Sequence, residues 1–145
     1  VSLQESVFED AEMIDLAQHD IGGHLVLVVD DDSRIRSYMR TILQSAGVKV
    51  LEAGDGLEAL EVFHASETRV DLVITDIRMP RMSGTDLASS LRSDAPAIPL
   101  ILVSGEGAPA GMIRPGNGVL FIEKPFAPKV LLEAASQFLD WSVSA

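Results

Sequence analysis

The sequence predicts an α/β fold, a doubly wound parallel sheet with helices on both faces. Two features predict it. From His24 onward, short apolar runs rich in valine and isoleucine alternate with longer segments whose apolar residues recur at helical spacing. The alternation points to parallel strands joined by right-handed crossovers. The apolar runs are continuous, as in strands covered on both faces.

Leu25 to Val29 is the first strand. A helix from Ser33 to Ala46 follows, with Ser33 placed to cap it and Ile35, Met39, Ile42, Leu43 and Ala46 on one face. Gly47 supplies a left-handed stop. Val48 to Leu51 reads as the second strand. Asp55-Gly56-Leu57-Glu58 is a capping box opening a helix through Ala65. Val70 to Thr75 is the third strand, and Ser83-Gly84-Thr85-Asp86 caps a helix to Leu91. Ile98 to Val103 and Val119 to Ile122 are the fourth and fifth strands. Pro128 suits the first turn of a last helix ending near Leu139 or Trp141. Between the last two strands, residues 105–118 are rich in Gly and Pro, which opposes a long helix and leaves one or two turns around Ala108 to Ile113.

Residues 1–22 are acid-rich and weakly patterned. They read as a linker or N-terminal extension, with a loose helix over Val7 to Leu16, ahead of a domain spanning 23–145. The 145 residues fit one domain, and 47% apolar content is enough for a core. The net charge of −11 repels nucleic-acid phosphates, so direct nucleic-acid binding is not expected. There is no cysteine, which excludes disulfides and thiolate metal sites and suits a reducing cytoplasm. No apolar run is long enough to span a bilayer, so no membrane insertion by this chain is expected. Beginning at Val1, the chain reads as a piece of something larger or as carrying a short cloning scar.

In a doubly wound sheet the ligand site lies beyond the carboxyl ends of the strands. Strand one runs into Asp30-Asp31-Asp32, strand three into Asp76, strand four into Ser104 and strand five into Lys124-Pro125. Each alone has a plainer explanation. Aspartates after strands commonly cap helices, and a lone lysine is usually solvated. Together they would converge on one pocket. Clustered carboxylates need a counter-charge, and a magnesium ion, with its few carboxylate ligands and its taste for phosphate oxygens, meets that need. Lys124 and Ser104 could hold the remaining phosphate oxygens. The three histidines form no metal-ligand pattern, and no phosphate-binding Gly-x-x-x-x-Gly-Lys loop or Gly-x-Ser-x-Gly elbow is present.

Val28-Val29-Asp30-Asp31, Asp76-Ile77-Arg78-Met79-Pro80, Met82-Ser83-Gly84, Val103-Ser104-Gly105 and Glu123-Lys124-Pro125-Phe126, in that order, resemble the receiver domain of two-component response regulators. The resemblance covers about residues 24–142. It implies a flavodoxin-like sheet of five strands in the order 2-1-3-4-5. Asp76 would be the phosphoacceptor. Asp31 and Asp76 would bind magnesium directly, Asp30 mainly through water, and the Arg78 carbonyl would add a ligand. Ser104 would hydrogen-bond the phosphoryl group and Lys124 would pair with it, across a cis Lys124–Pro125 bond. Ser104 and Phe121 stand where the family has its switch pair, although Phe121 is equally a plain core residue. Arg78 and Glu106 occupy positions that tune phosphoryl lifetime, and we expect them to form an ion pair over the site. The short Gly/Pro-rich segment departs from the family and puts its usual output or dimer face in doubt.

The resemblance implies a histidine kinase or a histidine phosphotransfer protein as partner, and leaves room for a homodimer. The acidic segment suits the C-terminal receiver of a hybrid histidine kinase, and a single-domain regulator is the close rival. The location expected is cytoplasmic, whether or not a parent protein is membrane-anchored. Two other classes compete. A magnesium-dependent phosphatase would use Asp30 and Asp32 but leaves the Asp76 motif unexplained. An interaction module without phosphorylation leaves the acids, Ser104 and Lys124 unexplained.

Overall fold

A computed structural model describes residues 23–106 and 118–144, the last five of these as backbone only. The elements are β1 (Leu25–Val29), α1 (Ser33–Ser45), β2 (Lys49–Ala53), α2 (Gly56–Ala65), β3 (Leu72–Asp76), α3 (Gly84–Asp94), β4 (Leu100–Ser104), β5 (Val119–Glu123) and α4 (Pro128–Ser144). The sheet runs β2-β1-β3-β4-β5 with every neighbouring pair parallel, the order expected. The expected helix over Val7 to Leu16, the turns around Ala108 to Ile113 and the side chain of Trp141 lie outside the described residues.

Every residue of β1, β3 and β4 is buried, which is why their sequences are apolar without interruption. Because side chains alternate along a strand, the run divides into two cores. Val26, Val28, Leu72, Ile74, Ile101 and Val103 pack against Met39, Ile42 and Leu43 of α1 and Leu131, Leu132 and Leu139 of α4. Leu25, Leu27, Val29, Val73, Leu100 and Leu102 pack against Ala59 of α2 and Leu87, Ala88 and Leu91 of α3.

Backbone hydrogen bonding moves several boundaries. Asp32, not Ser33, caps α1: its carboxylate accepts the Arg34 N–H, and its carbonyl accepts the Arg36 N–H at 3.0 Å. Ser33 is therefore the first helical residue. Strand β2 starts at Lys49 because the Val48 N–H turns back to the Leu43 carbonyl at 3.1 Å. Strand β4 starts at Leu100 because the Ile98 N–H donates to Ala95 and Pro99 has no N–H to give. The third helix runs on to Asp94 and stops before Pro96, as the residue preceding a proline avoids helical geometry. Gly47 adopts the expected left-handed conformation, φ 86°. Asp55 and Ser83 cap α2 and α3 as expected, accepting from the Glu58 and Asp86 N–H groups. Among the described residues no helix is long and apolar enough to cross a membrane.

Candidate functional site

Strands β1 and β3 are neighbours at the centre of the sheet, so the acids at their carboxyl ends meet. Asp30 follows β1 directly, and Asp76 is the last residue of β3 rather than the first beyond it. The ladder carries on past the predicted strand end, with the Ile77 N–H donating to the Val103 carbonyl at 3.0 Å. Ser104 likewise ends β4, where its carbonyl accepts the Lys124 N–H at 2.8 Å. Backbone pairing thus sets the depth of the site. Asp30 is wholly buried, Asp76 is 7% exposed and Ser104 5%, whereas Asp31 is exposed.

One carboxylate oxygen from each of Asp30, Asp31 and Asp76 lies within 4.8 Å of the other two. Lys124 Nζ sits 3.1 Å from Asp30 Oδ2 and 3.2 Å from Asp76 Oδ1. The other Asp30 oxygen accepts the Asp32 N–H at 2.9 Å. Burial pushes the Asp76 carboxyl above its ordinary pKa, and the charge of Asp30 adds to this against the opposing pull of Lys124. Burial by itself would lower the Lys124 ammonium, but its bonds to Asp30 and Asp76 outweigh that and hold it above its usual value. Lys124 thus pairs with two of the three clustered carboxylates, Asp30 and Asp76.

The loop after Asp76 is fitted tightly to the site. Gly84 donates its N–H to the Ile77 carbonyl at 2.8 Å, and a Cβ at this position would collide with the Asp76 carbonyl. Thr75 Oγ1 donates to the same Asp76 carbonyl at 2.9 Å. Arg81, at φ 66°, places Nη2 2.6 Å from Asp55 Oδ2 and so ties the loop to the start of α2. Ser104 Oγ accepts the Glu106 N–H at 3.1 Å. Arg78 Nη2 lies 2.8 Å from Glu106 Oε1, in a pair whose side chains are 77% and 61% exposed. Phe121 is half-buried on β5, packed into the core of Leu100, Leu102 and Val119. The Lys124–Pro125 peptide bond is cis.

Sequence reasoning passed over Arg36, whose Nη1 donates to the Asp30 carbonyl at 2.8 Å. A signal was present. Arginines at 34 and 36 with no acid in the first turn run against the helix dipole, and a basic residue there is a prompt to look for an acceptor nearby.

The model for the response regulator receiver domain matches residues 26–136. The chain belongs to this family. Chemotaxis protein CheY1 of Helicobacter pylori is 41% identical over 114 residues, covering 74% of this chain and 90% of that protein. Sensor kinase CckA of Brucella abortus is 37% identical over 121 residues, which is 82% of this chain but 13% of the kinase. Among solved structures, the receiver domain of the hybrid histidine kinase CckA superposes with TM-score 0.66 at 33% identity, covering 79% of this chain and 98% of that one. CheY4 of Vibrio cholerae gives 0.69 at 32% identity, with 80% and 98% covered. The chain is a receiver domain of two-component signalling. In this receiver Asp32 caps α1 by accepting the Arg34 N–H and pairs with the exposed Arg34 side chain.

Proposed function

We propose that this receiver accepts a phosphoryl group on Asp76 from a phosphohistidine, carried by a histidine kinase or a histidine phosphotransfer protein. The carrying observation is the cluster of Asp30, Asp31 and Asp76, mutually within 4.8 Å, two of them buried and sharing one lysine. All-oxygen donors with a surplus of negative charge fit a hard divalent cation. Asp31 and Asp76, with Asp30 and the Arg78 carbonyl, would hold magnesium. When bound, that ion supplies positive charge for the phosphoryl oxygens.

The chain's own groups do the rest. A carboxylate oxygen of Asp76 attacks phosphorus; the O–P bond forms as the P–N bond breaks, and the imidazole leaves with the electron pair. Lys124, already between Asp30 and Asp76, pairs with the transferred group. Ser104 exchanges its contact with the Glu106 N–H for a bond to a phosphoryl oxygen. This movement is the proposed switch, with Phe121 turning into the space the hydroxyl leaves. Arg78 and Glu106 sit two residues beyond Asp76 and Ser104, where their pair restricts the water that would hydrolyse the acyl phosphate. Arg78→Ala then shortens the phosphoaspartate lifetime. Beside Lys124 an open groove of about 570 Å³, floored by Ile35, Tyr38 and Phe126, would receive the donor. The exchange belongs in the cytoplasm, in a single-domain regulator or in the receiver of a hybrid kinase.

Incubation with Mg²⁺ and acetyl phosphate, followed by intact-mass measurement, tests the reading. A phosphoryl-sized gain in the wild type, absent from Asp76→Ala, is expected. An equal gain in both proteins, or none in either, would reject Asp76 as the acceptor under these conditions.

A further inference from the structure

We infer that Arg36 is a positioning residue for the acidic site, holding Asp30 through its main chain. The inference rests on the magnesium reading above and deepens it.

The β1–β2 ladder ends at the pair Val29 and Ala53, with one further bond from the Asp30 N–H to the Ala53 carbonyl at 3.2 Å. Beyond that point β2 gives way to α2: Asp55 is its cap, and the Gly54 N–H is taken by Glu58 Oε1. The Asp30 carbonyl is met instead by Arg36 Nη1 at 2.8 Å. A buried carbonyl left without a donor is costly, so a donor here has a definite task.

The guanidinium is itself held. Arg36 Nε lies 3.1 Å from Glu52 Oε1, and Arg40 Nη1 lies 2.7 Å from Glu52 Oε2. The Arg36 and Glu52 side chains are 23% and 28% exposed, so the network is partly shielded from water. Glu52 belongs to β2, in register with Val28 on β1. Arg36 thus spans α1, the rigid sheet and the peptide that carries Asp30. The Asp30 carboxylate is also fixed at both oxygens, by the Asp32 N–H and Lys124. With the peptide and the carboxylate both held, Asp30 presents one geometry to a cation. A lysine could not serve both contacts as a planar fork does.

Two effects oppose each other. Arg36 is a positive charge near a cation site, which on its own would weaken Mg²⁺ binding. It also preorganises a ligand, which strengthens binding. Its charge is shared with Glu52 and aimed at a carbonyl, so positioning should win.

Titration calorimetry with MgCl₂ alone, on the full chain, decides. Arg36→Ala should weaken Mg²⁺ binding by about 10-fold. Arg36→Lys should fall between. Arg40→Ala removes the same charge from the same helix and the same glutamate without touching Asp30; it should stay within about twofold, a small part of the loss given by removing a support of this kind. The phosphorylation rate of Arg36→Ala with acetyl phosphate should recover substantially at saturating Mg²⁺, separating lost cation affinity from lost chemistry. Should Arg36→Ala fail to fold, Arg36→Lys carries the test. Unchanged or tighter Mg²⁺ binding in the folded variant overturns the inference, as does an equal loss in Arg40→Ala. A wild-type chain that binds no Mg²⁺ overturns the reading beneath it as well.

Discussion

At the end of β3, Asp76 is nearly buried, and the role proposed for it, attack on phosphorus, requires it to be negative. Burial first, and then Asp30, raise its pKa above the 3.8 of an ordinary aspartate. Below that value Asp76 is protonated in both folded and unfolded chains and exerts no pH-dependent effect. As pH rises through the raised folded value, the unfolded chain loses its proton more readily, and relative stability is lost. The metal-free wild type therefore carries a destabilising Asp76 at neutral pH. Asp76→Asn in EDTA should be more resistant to urea than wild type at pH 7, and the advantage should shrink as pH falls toward 3.8. An advantage that persists unchanged in acid would assign it to something other than the charge. Lys124 contributes with the opposite sense of charge: its stabilisation is present below its ordinary 10.5 and is lost as pH rises through its raised folded value.

The elements bring these residues together by close backbone fits as much as by apolar packing. Gly84, the first residue of α3, lies where any side chain would meet the Asp76 carbonyl. Gly84→Ala should cost about 3 kcal/mol, the upper part of the range for overpacking, and should slow phosphorylation because the shift falls on the peptide of Asp76, the proposed acceptor. At Gly105 no described residue lies within 4 Å of the Cβ position, so it makes a control for the stability readout, with a change expected within about 0.5 kcal/mol. Urea unfolding compares the two. On the opposite face of the sheet, Leu132 of α4 is fully buried among β-strand side chains. Leu132→Ala should cost about 3 kcal/mol. Its far-ultraviolet and near-ultraviolet transitions should still coincide, because both cores rest on the same strands.

For the whole molecule, the net charge of −11 and the acid cluster both oppose compaction in the absence of cations. Mg²⁺ binding to the folded chain alone should then raise its stability by about 2.7 kcal/mol at a hundredfold excess over Kd. Melting scans with Mg²⁺ and with EDTA measure the difference at matched ionic strength. Asp31→Asn, which removes the exposed member of the cluster, should abolish most of it. Equal stabilisation of wild type and Asp31→Asn would place the cation elsewhere on the acidic surface.

The sequence by itself determined the order of elements and a parallel sheet covered on both faces, because continuous valine-rich strands alternate with single-faced helices; the strand order came from the resemblance to receiver domains. It also marked Asp30, Asp31, Asp76, Ser104 and Lys124, since the ends of parallel strands gather on one edge. The tertiary structure decided what pairing across strands controls. It decided that Asp76 and Ser104 are the last rungs of their strands, that Val48 and Ile98 spend their N–H groups on turns, and that Asp32 takes the cap expected of Ser33. It alone revealed Arg36 at the Asp30 carbonyl. Local patterns report which face a residue prefers. A bond from a helix side chain to the end of a strand depends on how two elements pack, and no periodicity encodes that.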